Sequence, residues 1–163
     1  MILLEGYINS KDTSSFLDNL IAIATEYECV IQSFDARYIA GKSHLTLATE
    51  YSKRAFERED SIAKNPAVEL LLYASGRRQI NRAMEMCITP ETTGIVIVIY
   101  GEKEVISSNL LRELILPSDV IEPTKNIELL CTFFDITPAE LEVSSADIES
   151  LVLERVALLN LSK

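Results

Sequence analysis

The residues best suited to chemistry in this chain are the arginines that follow Gly76. Arg77 and Arg78 come directly after a Ser-Gly pair, and Arg82 stands one helical turn beyond Arg78. Side chains one turn apart lie close together on a helix, and guanidinium groups bind phosphates and carboxylates through paired hydrogen bonds. A helix N-terminus also favours anions. The spacing therefore predicts an anion-binding site after Gly76, with a set of merely solvated arginines as the simpler alternative.

The charge of the chain is unevenly distributed along the sequence. All 163 residues together carry a net charge of −10, which argues against a protein that coats nucleic acid with its whole surface. Residues 37–82, in contrast, hold nine basic and five acidic side chains, whereas the remainder holds six basic and twenty acidic ones. This asymmetry indicates a local anion-binding face on an acidic protein.

Residue types that catalyse reactions are sparse. His44 is the only histidine and has no nucleophile motif beside it, so we expect it to pack or to cap a helix. Cys29, Cys87 and Cys131 show no C-x-x-C spacing and are expected to be buried thiols. Phosphate-loop, dinucleotide-binding and zinc-protease motifs are absent from the sequence. We therefore expect no catalytic residues, no metal site and no cofactor, and a binding or regulatory module in preference to an enzyme.

Two helices joined at Gly76 are predicted to position the arginines. Asn65 is suited to cap the first helix, Pro66 suits its first turn, and residues 67–74 are almost all apolar. Gly76 can end that helix in the left-handed conformation. The second segment has apolar residues at helical spacing, which predicts a second helix with the arginines on its other face. Its apolar residues are Ile80, Ala83, Met84, Cys87 and Ile88.

The remaining pattern predicts an α+β protein with a small, mostly antiparallel central sheet flanked by several helices. We predict strands at residues 1–8, 29–34 and 94–101, the last of them apolar on both faces and therefore covered on both sides. Helical spacing predicts further helices at residues 16–27, from a cap at Ser43 onward, at 106–116, at 126–134, from 137 onward and at 145–161. We expect one domain over residues 1–163.

Membrane association is not expected from this sequence. No apolar run approaches the length that a bilayer-spanning helix needs, and no basic leader follows Met1. We therefore expect a cytoplasmic protein.

Two stretches of the sequence resemble a known family. They read HLTLATEYSKRAF (residues 44–56) and ELLLYASGRRQINRAMEMCI (residues 69–88). Both are similar to the signature of the small accessory subunit of the KEOPS tRNA-modification complex, the PRPK-binding protein family. The resemblance extends from about residue 44 to residue 101, with a weaker similarity at residues 151–161. It implies that the chain is one KEOPS small-subunit-like domain.

The resemblance implies a non-catalytic role in tRNA modification. KEOPS makes threonylcarbamoyl-adenosine on tRNAs that read A-starting codons, and a separate transferase subunit carries out the chemistry. Members of the family bind the N-lobe of a small RIO-like kinase that works as an ATPase, and they support its activity. In archaea they also recruit tRNA through its 3′ CCA end. The implied partners are the kinase directly, the transferase indirectly within the same complex, and tRNA.

The resemblance also implies a set of tRNA-binding residues around the arginines. Single-stranded RNA ends are recognised through phosphate contacts, stacking and hydrogen bonds to base edges, which suits a mixture of basic, amide and apolar side chains. Ile80 has a competing interpretation, because its spacing places it on the apolar helix face. The implied residues are Lys64, Arg77, Arg78, Gln79 and Ile80, and Arg82 joins them by spacing alone.

Two other classes of function remain open on the residues alone. A generic protein-interaction adaptor would use its basic patch to bind an acidic partner. An enzyme acting on a phosphorylated small molecule would hold its substrate at residues 75–78, at the predicted helix N-terminus.

Overall fold

The computed structural model describes residues 1–143 and 147–162. Within these ranges the chain forms four β-strands and eight α-helices, which confirms the predicted α+β class. The strands are β1 (Ile2–Ile8), β2 (Val30–Asp35), β3 (Gly94–Tyr100) and β4 (Ile115–Pro117). The helices are α1 (Thr13–Glu26), α2 (Lys42–Glu57), α3 (Pro66–Ser75), α4 (Ile80–Ala83), α5 (Glu104–Arg112), α6 (Ile127–Phe134), α7 (Pro138–Val143) and α8 (Ile148–Leu161).

The chain divides into two compact units. The first combines Met1–Ala36 with Cys87–Ile121 and contains the four strands together with α1 and α5. The second combines Arg37–Met86 with Glu122–Lys163 and contains the other helices of the described residues. The single-domain organisation expected from the sequence stays a prediction.

The sheet of the first unit is antiparallel throughout, with the strand order β2–β3–β1–β4. Successive side chains of a strand point to opposite faces. The three isoleucines of β3 therefore share one face, and they join an apolar cluster with Phe16 and Leu20 of α1. The two valines on the other face of β3 are fully buried as well. This burial confirms that β3 is covered on both sides.

The segment after α5 differs from the sequence prediction. The apolar spacing predicts one helix over residues 106–116, but α5 ends at Arg112 and residues 115–117 form β4. β4 pairs with Gly6–Ile8 of β1, and Ile115 is buried in the apolar cluster of the sheet. Pairing with the edge of β1 satisfies backbone groups and buries a β-branched side chain, so tertiary context overrides the helical spacing.

In the second unit, α2 packs against α3 and α8. Its small side chains Ala48, Ser52 and Ala55 are buried, as their stripe along the helix predicts. The helix begins at Lys42 after Gly41, so Ser43 lies inside the first turn and is not the cap. The predicted cap at Ser43 is therefore wrong by two residues. This difference does not change which face of α2 is buried.

The last helix, α8, buries the apolar stripe that the helical spacing predicts. Asp147 caps it by accepting a hydrogen bond from the Ser150 N–H at 2.9 Å. Its inward stripe includes Leu151, Val152 and Val156, all buried. The predicted start at Ser145 lies outside the described residues. Among the described helices, none combines the length and the apolar content that spanning a bilayer requires.

Candidate nucleic-acid interface

α3 is the element that positions the predicted site residues. Asn65 caps it by accepting hydrogen bonds from the N–H groups of Ala67 and Val68 at 2.8 and 3.3 Å. Gly76 ends it in the left-handed conformation, with φ of 62°. Both features are those that the sequence predicts. Residues 69–75 are all buried, so α3 lies inside the second unit and presents only its two ends to solvent.

The segment after Gly76 is not the amphipathic helix that the spacing predicts. α4 is one turn long and continues as a 3₁₀ turn at Met84–Met86. A 3₁₀ turn has three residues per turn. Ala83 is buried as the spacing predicts, but the next buried position is Met86 in place of Met84. Ile80 is 46 % exposed and Met84 is 55 % exposed. The placement of these two residues on a buried helix face is therefore wrong.

The arginines also differ from their predicted setting. Arg77 and Arg78 precede α4 and belong to the connection between α3 and α4. The backbone N–H of Arg77 still bonds to Leu72 O at 3.1 Å, closing the end of α3. The two arginines are thus held by the exit of α3, and they do not lie on a face of the second helix.

His44 supports that exit of α3 from inside the unit. The N–H of Ala40 donates to His44 Nδ1 at 3.2 Å. The proton therefore resides on Nε2, which donates to Ala74 O at 2.7 Å. Burial lowers the pKa of His44 from 6.5 to about 4, although the hydrogen bond to Ala74 opposes that change. The packing role expected for His44 is confirmed.

Arg77 is committed to contacts within the second unit. Its guanidinium donates a hydrogen bond to the carbonyl of Phe133 and forms an ion pair with Asp135 at 2.8 Å. The same group lies over the Phe133 ring, 5.8 Å from its centroid. Arg77 therefore joins the end of α3 to the end of α6.

Arg78 lies on the wall of an open groove of about 380 Å³. Its side chain is exposed and donates one hydrogen bond, from Nη1 to Ser162 O at 2.6 Å. The last part of α8 also lines the groove, and there Leu158 is 47 % exposed and Leu161 is 80 % exposed. The lining residues are Gly76, Arg78, Arg155, Leu158, Leu159, Leu161 and Ser162. The groove thus combines a cation with apolar surface.

Arg155, the second cation of the groove, is held by its own partners. Nε donates to Phe134 O at 3.1 Å, and Nη2 donates to Asp135 O at 3.1 Å and to Glu140 Oε1 at 2.6 Å. The hydrogen bond from Arg155 is the main reason that the pKa of Glu140 falls to about 2. Arg78 uses one of its five N–H groups in the contact with Ser162, so it is the cation better placed to receive an anion.

The other predicted residues fall into two groups. Gln79, Ile80 and Arg82 follow Arg78 and are all exposed, and Arg82 forms a weak ion pair with Glu85 at 3.5 Å. Lys64 is exposed before the Asn65 cap, at the other end of α3. A ten-residue helix is about 15 Å long. The structure therefore gathers five of the predicted residues at one end of α3 and places Lys64 at the other.

Sequence reasoning missed the apolar residues of α8 that line the groove. Leu158 and Leu161 stand three residues apart and therefore share a face of α8. The core stripe of α8, which the spacing predicts, includes Val156 and Leu159 and leaves both of these leucines out. Apolar residues on a second face of this helix are the signal that could have predicted exposed apolar surface there.

The described residues contain no group of three or more His, Cys, Asp or Glu side chains arranged to hold a metal ion. Burial raises the pKa of the Cys87 thiol, and it raises that of Cys131 together with the nearby Glu140 carboxylate. Neither thiol is therefore activated as a nucleophile.

Comparison with known proteins identifies the family. The model of the family described as Kinase binding protein CGI-121 matches residues 7–160. No curated protein was found to match the chain. The stretches that resemble the KEOPS accessory subunit lie inside the matched range, and that resemblance is confirmed. The chain belongs to the kinase binding protein CGI-121 family.

Proposed function

We propose that this protein is the non-catalytic small subunit of a KEOPS complex, where it binds the RIO-like kinase subunit and recruits tRNA through the 3′ CCA end. Membership of a kinase-binding family supports the first activity. The transferase would then be an indirect partner within the same complex. This function implies a cytoplasmic location.

The observation that carries the tRNA part of the proposal is the groove beside Arg78. Proteins hold single-stranded RNA by pairing cations with phosphates and packing bases against flat or apolar side chains. Arg78 supplies an exposed guanidinium, and Leu158 and Leu161 supply exposed apolar surface in the same groove. The volume of the groove lies in the lower part of the range for pockets that hold small ligands. An unpaired nucleotide fits this chemistry better than a duplex, which offers mainly backbone.

The residues after Arg78 extend the proposed contact. Gln79 carries an amide, which can hydrogen-bond to a base edge. Ile80 carries exposed apolar surface, and Arg82 adds a second exposed guanidinium four residues after Arg78. Arg77 contributes in a different way, because its guanidinium is occupied by Phe133 and Asp135. We assign it the role of holding the Arg78 backbone in place.

Lys64 provides a second contact point at the far end of α3. One anion cannot touch both ends of a helix about 15 Å long. A tRNA end that reaches Arg78 would therefore meet Lys64 through a different phosphate. Two separated cations favour an extended ligand over a small phosphorylated metabolite, which is the ligand of the enzyme alternative.

A binding assay with two forms of one tRNA tests this proposal. The wild-type protein should bind tRNA with an intact CCA end more tightly than the same tRNA without it, by roughly tenfold or more. Filter binding at fixed salt measures the difference, because affinity for nucleic acid depends on salt. Equal affinity for the two forms would leave a nonspecific basic patch, as in the adaptor alternative. Turnover of a phosphorylated small molecule would favour the enzyme alternative.

A further inference from the structure

Glu69 is a fully buried acidic side chain to which the proposed function assigns no role. It lies in the first turn of α3 and is 0 % exposed. Oε1 accepts a hydrogen bond from the N–H of Ile62 at 3.1 Å, and Oε2 accepts one from the N–H of Ala63 at 2.7 Å. Burying an acid is costly unless hydrogen bonds compensate for the lost water. The two hydrogen bonds compensate for this burial, and they fix the backbone of Ile62 and Ala63 against the first turn of α3.

The held segment leads directly into Lys64. The N–H groups of Ile62 and Ala63 are bound on one side of Lys64, and the Asn65 cap anchors the backbone on the other side. The N–H of Glu69 also donates to Asn65 O at 2.9 Å. Lys64 is thus fastened to α3 through both of its neighbours, although it lies outside the helix.

The backbone around Lys64 is held by hydrogen bonds, whereas its side chain extends into solvent. It is exposed, and its ammonium has no hydrogen-bond or ion-pair partner in the part of the chain that the structure describes. A lysine with a fixed backbone and an unpaired ammonium suits contact with an external anion, because less chain entropy is lost on binding. The contacts of Glu69 create that combination.

We propose that Glu69 is a positioning residue for nucleic-acid binding, which holds the Ile62–Ala63 backbone so that Lys64 meets a tRNA phosphate. This inference rests on the proposed function and adds the residue that controls its second contact point. Glu69 itself does not touch the RNA, and it acts only through Lys64.

A double-mutant cycle on tRNA with an intact CCA end tests this role. Lys64→Ala should weaken binding roughly three- to tenfold and make the salt dependence shallower by about one counterion. Glu69→Gln keeps the side-chain volume but turns an N–H donor of the amide toward a backbone N–H. We expect Glu69→Gln to weaken binding and flatten the salt dependence in the wild-type background, and to have no further effect in the Lys64→Ala background.

A matched control separates positioning from general destabilisation. Asp35 is another buried acid, in the first unit, and it accepts a hydrogen bond from Thr92. Asp35→Asn should lower thermal stability but leave the salt dependence of tRNA binding unchanged. Equal losses from Glu69→Gln in both backgrounds, or an unchanged salt dependence, would overturn the positioning role.

The outcome of Lys64→Ala distinguishes this inference from the proposed function. If Lys64→Ala has no effect while tRNA still requires its CCA end, the inference is overturned and recruitment through the Arg78 groove stands. If no variant of Glu69 folds, hydrogen exchange in the wild-type protein decides. The amides of Ile62 and Ala63 should then exchange far more slowly than those of an unbonded loop, and rapid exchange would contradict the anchoring.

Discussion

At the exit of α3, two adjacent arginines with the same chemistry have different surroundings. Arg77 is partly buried and bonded to Phe133 and Asp135, whereas Arg78 is exposed and touches Ser162. A buried guanidinium must find partners inside the protein, and an exposed one keeps most of its donors for a ligand. The backbone N–H of Arg77 also bonds to Leu72 O, so the arginine whose side chain turns inward is the one that closes α3. Arg77 therefore has a structural role, and Arg78 is the arginine proposed to bind a ligand.

His44 gives a residue-scale prediction about stability and pH. Its pKa is about 4 in the folded protein and about 6.5 in the unfolded chain. The unfolded state therefore binds more protons between these values, and stability should fall as pH decreases from about 6.5 toward 4. The contribution of His44 to this loss is roughly 3 kcal/mol. Urea unfolding of the wild type and of His44→Gln at several pH values measures it.

The variant serves as the control, since both proteins carry the same carboxylates. His44→Gln should be less stable than the wild type at neutral pH and should lose less stability on acidification. Parallel curves for the two proteins would show that His44 is not held in its neutral form.

At the scale of elements, α3 is a buried strut whose two ends carry the proposed ligand contacts. Its start and end follow local rules: Asn65 caps it, and Gly76 closes it in a conformation that other residues seldom adopt. Sequence reasoning predicts both ends correctly for this reason. The α4 segment and β4 are decided by packing and strand pairing, so apolar spacing alone misassigns Ile80, Met84 and residues 115–117.

Gly76→Ala tests the closure of α3. Alanine pays a steric cost at φ of 62°, and its Cβ would lie 3.2 Å from Arg155 O, closer than ordinary contact. We expect a loss of about 1–2 kcal/mol in the free energy of unfolding. Chemical denaturation measures the loss, with Ser61→Ala in an irregular segment as the control that should change stability little. Unchanged stability of Gly76→Ala would mean that the end of α3 can move away from α8.

At the scale of the whole molecule, the basic excess of residues 37–82 belongs to the second unit, which holds the groove and Lys64. The uneven charge was visible in the sequence, because counting charges needs no structure. The groove that Arg78 shares with Leu158 and Leu161 could not be predicted from the sequence, because it brings together residues about eighty positions apart in the chain. A groove formed by residues that are distant in the chain depends on helix packing, which local sequence patterns do not predict.

Kinase binding gives a prediction for the assembled protein. The chain should form a stable one-to-one complex with a small RIO-like kinase, with about 1,200–2,000 Å² of surface buried in total. Gel filtration of the mixture at micromolar concentrations should show the two chains migrating together. Separate migration would contradict the kinase-binding activity proposed for this member of the family.

The most direct test of tRNA recruitment is the affinity of Arg78→Glu for tRNA with and without its CCA end. The substitution removes an attractive charge and adds a repulsive one, so we expect a loss of about 1–3 kcal/mol for intact tRNA, or roughly ten- to a hundredfold in Kd. Lys11→Glu makes the same charge change at an exposed position of the first unit and should have little effect. We predict that Arg78→Glu weakens the binding of intact tRNA more than the binding of truncated tRNA, and that it leaves kinase binding unchanged. An equal loss of affinity for both tRNAs, or no loss for either, would contradict recruitment of tRNA through the CCA end.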